Sequence, residues 1–252
     1  MRGLVRQVVL GVATAVTLVM NTVAGIGLLF GRDPGSISDE LPNAFTPAGF
    51  TFSIWSVIFL GLIAFALWQG RADQRGERLD RIGWPFLLAN VLNVGWLLAW
   101  HSLNFGPSVV IMLALLGSLV WLYVTLDRLH LRGAERFWLG VPTSLYLGWI
   151  SVATIANVTA WLTSRGVTDG LWGLSPTTWA AVLIGVATAL GAFLLVRRRD
   201  WVFGAVLAWS FYGVWAARPD VNVLAAVVVV AVMALAAALL GGLRRGREGL
   251  PA

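Results

Sequence analysis

No cysteine and no lysine occurs among the 252 residues, and charge of either sign is scarce. The missing cysteine excludes disulfides and thiolate metal sites. Charged residues make up 12% of the chain, against roughly 25% in a soluble domain, so most of the chain does not face water. No Asp, Glu or Arg falls in the middle of a long apolar run. Ionisable groups inside a membrane mark proton relays, ion paths and catalytic acids. Their absence argues against a proton-coupled pump and against an intramembrane protease using paired aspartates. It also removes most candidates for general acid–base work. The H-E-x-x-H, G-x-S-x-G and P-loop patterns are missing as well. Only two histidines occur. His130 lies in a charged loop, and His101, at the end of the third apolar run, reads as a polar cap or, less simply, as a haem contact.

What is there is apolar. Hydrophobic residues make up 58%, and the mean hydropathy is +0.81. Eight runs stand out, at residues 5–30, 48–69, 82–101, 108–126, 137–162, 176–196, 201–217 and 221–243. About 20 apolar residues cross a hydrocarbon core roughly 30 Å thick. The runs lack the alternation of barrel strands, so the expected fold is all-α: a polytopic membrane bundle of about eight transmembrane helices. The seventh run is the shortest. The first follows Arg2 and Arg6 but exceeds the roughly 7–15 apolar residues of a signal peptide, and it reads as a retained helix.

The net charge of +6 is carried by arginine alone. Most arginines fall in alternate gaps: Arg2 and Arg6; Arg71, Arg75, Arg78 and Arg81; Arg128, Arg132 and Arg136; Arg197 to Arg199; Arg244, Arg245 and Arg247. The other gaps hold only Arg32, Arg165 and Arg218. This is the positive-inside pattern, and it places both termini in the cytoplasm of a multi-pass protein of the cytoplasmic membrane. The charge encodes topology, and the partner it implies is the lipid bilayer, not nucleic acid.

Polar residues inside the runs are uncharged and periodic. Thr14, Thr17 and Asn21 share one helical face, as do Asn90, Asn93, Leu97 and Trp100, with Trp96 beside them. Tyr146, Trp149, Ala153 and Asn157 make a third stripe. An asparagine facing lipid leaves its amide unpaired, so the stripes should face the interior. Two readings follow: hydrogen bonds between helices, or a cavity of amides and aromatic faces for a flat apolar ligand. The texture changes near Ser164; the last run is almost pure Ala, Val and Leu. Ala181, Gly185 and Ala189 form a small-residue ridge that permits close helix approach, within the chain or across a homodimer.

Three stretches carry a family likeness: "FTPAGFTFSIWSVIF", "NVLNVGWLLAW" and "VPTSLYLGWISVATIANVTAW". They resemble the signatures of the TspO/translocator-protein family (TspO/MBR, the tryptophan-rich sensory proteins). The matching positions are Pro47, Gly49, Phe52 and Trp55; Asn93 and Trp96; Pro142, Tyr146, Trp149, Ser151, Ala153, Thr154 and Asn157. The resemblance implies a TspO-like five-helix bundle over residues 1–163 with a three-helix extension over 164–252, in one integrated membrane domain. It also implies a small hydrophobic ligand, a tetrapyrrole such as porphyrin or haem, held in an interior cavity for sensing or carrying. The expected contacts are Asn21, Pro47, Gly49, Phe52, Trp55, Asn90, Asn93, Trp96, Trp100, Tyr146, Trp149, Ala153 and Asn157. No cofactor, metal or catalytic residue is required. A transporter using all eight helices is the alternative, and a porphyrin-modifying enzyme the third. "NVTAWLTSR" lacks the tyrosine of the animal sterol-contact pattern, so sterol binding is not carried over. In the 45–55 segment, Pro47 stops helix from running back into the acidic loop, and Gly49 is expected to leave room for close backbone approach.

Overall fold

The computed structural model describes residues 1–248, with side chains through residue 240. Among the described residues the structure is helical, with one isolated bridge between Leu171 and Leu174. The long helices are α1 (Gly3–Gly25), α3 (Ile54–Gln69), α5 (Gly83–His101), α6 (Phe105–Arg128), α7 (Val141–Ser164), α8 (Pro176–Arg198), α9 (Trp201–Ala216) and α10 (Asn222–Glu248). Short helices α2 (Pro34–Asp39) and α4 (Glu77–Asp80) lie in the connections.

Among the described residues, seven helices are long and apolar enough to cross a membrane, where the runs suggested about eight. The exception is α9, whose 16 residues rise about 24 Å. It is nevertheless a helix of its own. Arg199 adopts a left-handed conformation at the end of α8, and the Asp200 carboxylate then accepts the Phe203 amide at 3.1 Å to start α9. A turn over Arg218–Asp220 separates it from α10.

Two other local features follow from sequence. Asp33 caps α2, accepting the Gly35 and Ser36 amides at 2.9 and 3.1 Å, while Ser36 Oγ takes the Asp33 amide at 3.2 Å. Burial pushes the Asp33 carboxyl up, but the Ser36 and Gly35 hydrogen bonds outweigh it and hold it below its ordinary value. Residues Arg136–Gly140 form a π turn ahead of α7. Pro142 offers no amide to the carbonyl four residues back, and the wider turn absorbs that gap.

The chain forms two compact units. The first holds Met1–Glu40 and Phe52–Ile150, and the second holds Leu41–Thr51 and the chain from Ser151 onward. In the first, α5 packs on α1 and α6, and α1 packs on α3. Phe65 and Phe86 stack face to face at 4.2 Å, and Leu10, Ile58, Leu62, Met112 and Leu115 of the same unit are buried. Arg6 is fully buried, pairing with Asp80 at 2.9 Å and donating to the Gln74 carbonyl. In the second unit, α8, α9 and α10 pack on one another around Ile184, Phe203, Leu207 and Phe211.

Candidate functional site

In the first unit the stripes of α1 and α5 turn inward and meet. Asn21 Nδ2 donates to Asn93 Oδ1 at 2.6 Å and to the Thr17 carbonyl at 2.8 Å. Thr17 Oγ1 donates to the Asn90 carbonyl at 3.4 Å, and Asn90 Nδ2 donates to the Phe86 carbonyl at 2.9 Å. Aromatic rings gather at the start of α3 and on α7. Trp55 lies edge-on to Tyr146 at 5.9 Å and to Trp149 at 6.3 Å, and Phe52 lies edge-on to Trp149 at 5.8 Å. On α5, Trp96 stacks on Trp100 at 5.8 Å, and Trp100 Nε1 reaches the Pro34 carbonyl at 3.4 Å.

Most of these side chains are buried, while Phe52 and Trp55 at the start of α3 are half-buried. Asn93 is fully buried, Trp149 is 2% exposed and Tyr146 is 3% exposed. Polar atoms are nonetheless left over. Asn90 Oδ1, Asn93 Nδ2, Tyr146 Oη and Trp149 Nε1 are buried without a hydrogen-bond partner. Tyr146 lies beside Asn93 without reaching hydrogen-bond geometry. One acceptor and three donors are thus unspent within a set of aromatic faces. His101 is buried, its Nδ1 2.8 Å from the Leu97 carbonyl and its Nε2 unpaired. Donation from Nδ1 leaves a bare lone pair on Nε2.

A family profile described as TSPO-like protein matches residues 7–243. The chain belongs to that family. The match runs from α1 into α10, so it takes in the three C-terminal helices that the sequence motifs did not reach. No curated protein and no solved structure matches the chain.

The remaining expected contacts of this TSPO-like chain, Pro47, Gly49, Ala153 and Asn157, fall in the second unit. Pro47 and Asn157 are buried there, Ala153 is half-buried and Gly49 is exposed. Nothing lies within 4 Å of where a Gly49 Cβ would stand, which corrects the expectation of a close backbone approach at that position. The close approach is at Gly213 on α9. A Cβ there would stand 2.1 Å from Thr51 Oγ1.

Around that contact α9 grips the 46–51 segment. The Ala48 amide donates to the Gly213 carbonyl at 2.9 Å, and Trp209 Nε1 donates to the Thr51 carbonyl at 3.1 Å. Arg218 Nη1 donates to the Thr46 carbonyl at 2.9 Å. Phe50 packs edge-on to Trp209 at 5.5 Å and against Tyr212 at 5.7 Å. Burial lowers the Arg218 guanidinium from its ordinary value, and Asp220 works against that shift. Sequence reasoning missed Trp209, Gly213 and Arg218. The signal for Arg218 was present, since it is one of three arginines in the gaps the others avoid.

Behind the same segment lies a cavity of about 350 Å3, lined by Phe45, Thr154, Leu162, Trp172, Trp179 and Leu183 among others. Several of its polar groups are already spent. Trp179 Nε1 donates to the Leu171 carbonyl at 2.9 Å, and the Thr159 and Thr163 hydroxyls bond back to their own helix at 3.0 Å. Such a lining suits an apolar group.

Proposed function

We propose that this membrane protein binds a flat hydrophobic molecule of the tetrapyrrole class inside its first unit, to sense or carry it. The observation behind this reading is the unspent polar set, Asn90 Oδ1, Asn93 Nδ2, Tyr146 Oη and Trp149 Nε1, among the rings of Phe52, Trp55 and Trp149. Each unpaired buried group costs about 1–3 kcal/mol, and hydrocarbon offers no water to relieve it. A tetrapyrrole presents carboxylate or carbonyl acceptors suited to the three donors, and a π face for the rings. No carboxylate or arginine belongs to this set, so its chemistry is holding, not acid–base turnover. Asn93, Tyr146 and Trp149 are buried, so reaching their polar atoms requires the neighbouring rings to part. Association should therefore be slow beside a diffusion-limited encounter.

A second reading places the ligand in the 350 Å3 cavity of the second unit, where space already exists. Titration of the purified protein with protoporphyrin IX, read from the porphyrin's own absorption band, separates the two. The first reading expects saturable binding that weakens about tenfold, one lost hydrogen bond's worth, in Asn93→Leu and Trp149→Phe. It expects no change in Trp172→Phe or Trp179→Phe. The reverse pattern moves the site to the second unit. Equal affinity in all four variants overturns both.

A further inference from the structure

At the other end of α1 from Asn21, six charged side chains line one polar pocket of about 690 Å3: Arg2, Glu77, Arg78, Asp80, Arg81 and Arg128. Two are already engaged. Asp80 takes Arg6 and the Gly3 amide, each at 2.9 Å. Arg78 pairs with Glu135 at 2.6 Å and donates to the Leu129 carbonyl at 2.8 Å. The guanidinium groups of Arg2, Arg81 and Arg128 make no hydrogen bond or ion pair within the described residues. Only Glu77 opposes these three guanidinium groups, which leaves the pocket with a net charge of +2. Like charges brought around one opening repel, and a bound anion is what relieves them. The walls are held in place from behind. Gln7 donates to the Gln69 and Arg71 carbonyls at 2.9 and 2.6 Å, and accepts Arg75 Nε at 2.9 Å.

Next to Arg2 and Arg81 the chain enters α1 and α5, and these two helices carry a second feature. A groove of about 470 Å3 runs between α1 and α5, lined by Val8, Val12, Val16, Leu87, Val91 and Val94. Val8, Val12, Val16 and Val91 are exposed. Arg2 precedes Val8 by six residues, and Arg81 precedes Leu87 by six. That separation is about 9 Å of helical rise, the span between a lipid phosphate and the first methylenes of its chain.

We infer that this chain binds one anionic phospholipid, with its phosphate among Arg2, Arg81 and Arg128 and an acyl chain in the α1–α5 groove. Guanidinium groups suit this role because their planar donors match phosphate oxygens in pairs. Basic pockets between transmembrane helices on the cytoplasmic side bind anionic headgroups by the same chemistry.

Native mass spectrometry of the detergent-purified protein tests this with phosphatidylglycerol, phosphatidylcholine of the same chains, and inorganic phosphate. Phosphatidylglycerol should be retained as one adduct and raise the unfolding temperature, while the other two should do neither. Removing one arginine should weaken retention about fivefold, so Arg81→Gln and Arg128→Gln serve as mild variants. The triple variant Arg2→Gln/Arg81→Gln/Arg128→Gln should lose about hundredfold. A control removing the same charge elsewhere, Arg132→Gln/Arg197→Gln/Arg199→Gln, all at exposed positions, should bind as the parent does. Equal retention of phosphatidylcholine overturns the anionic site, and stabilisation by inorganic phosphate alone overturns the lipid assignment. So does a control that loses as much as the triple variant. None of these outcomes bears on porphyrin binding, which uses other residues.

Discussion

Replacing Gly213 by alanine puts a methyl carbon 2.1 Å from Thr51 Oγ1 and 2.7 Å from Thr51 Cγ2. Both lie far inside van der Waals contact, and the Thr51 Cβ behind them, at 2.9 Å, belongs to a short 3-10 turn over Gly49–Ser53. No long flexible side chain is present to yield, so the turn itself must back away from α9. That stretches the Ala48–Gly213 and Trp209–Thr51 hydrogen bonds, now 2.9 and 3.1 Å. Overpacking costs about 1–3 kcal/mol, and each lost hydrogen bond about 0.5–1.5 kcal/mol. Retreat trades one cost for the other, so the expected destabilisation is about 1–3 kcal/mol. Unfolding followed by tryptophan fluorescence reads the total, and hydrogen exchange at the Ala48 amide reads the local opening. Thr51→Ala supplies the control. Its hydroxyl is buried without a partner, so its loss should be close to neutral alone and should rescue part of the Gly213→Ala defect. A coupling above about 1 kcal/mol in the double-mutant cycle is expected. Parent-like stability of Gly213→Ala, or strict additivity with Thr51→Ala, would refute the clamp.

Arg6→Ala removes a fully buried guanidinium and leaves the Asp80 carboxylate, only 14% exposed, with the Gly3 amide. The expected loss is about 3 kcal/mol, at the low end for breaking a buried pair because Asp80 keeps that amide and some solvent. Arg6→Met with Asp80→Leu should recover most of it, and a single variant as stable as the parent would show the pair to be dispensable. The span of α9 is directly testable, since the chain has no cysteine of its own. Arg199→Cys and Asp220→Cys, both at exposed positions flanking α9, should react with an impermeant maleimide from opposite faces of the membrane. Labelling from one face would make α9 a helix that does not cross.

The parts of the fold that were legible in sequence rest on periodicity and local chemistry. Asn21 and Asn93 announce themselves as inward because an amide facing lipid is left unpaired, and the structure joins them at 2.6 Å. The break before α7 is written in Pro142, although not its π geometry. The cap on α2 was also there to be read, in the order Asp33, Pro34, Gly35, Ser36, inside a gap that otherwise looks only acidic. The grip of α9 on residues 46–51 was not legible. Thr51 and Trp209 stand 158 positions apart, and no pattern within either run encodes the other. Gly213 looks like one more small residue in an apolar helix, whereas Gly49 sits in a motif and invites the role that Gly213 fills.

That grip changes what the 45–55 segment does. The chain passes from the second unit to the first between Thr51 and Phe52, and passes back between Ile150 and Ser151. Phe52 and Trp149, each next to or near one of those passages, touch at 5.8 Å. Thr51 is held by Trp209 and Gly213, and one peptide bond joins it to Phe52. A peptide unit is planar and inextensible, and a retreat of Thr51 therefore moves the Phe52 backbone with it. Gly213→Ala should for this reason weaken porphyrin binding along with stability, although Gly213 belongs to no contact set with Asn93 or Trp149. If the variant loses stability but keeps the parent's porphyrin affinity, the clamp is structural only, and α8 to α10 have no part in setting the site.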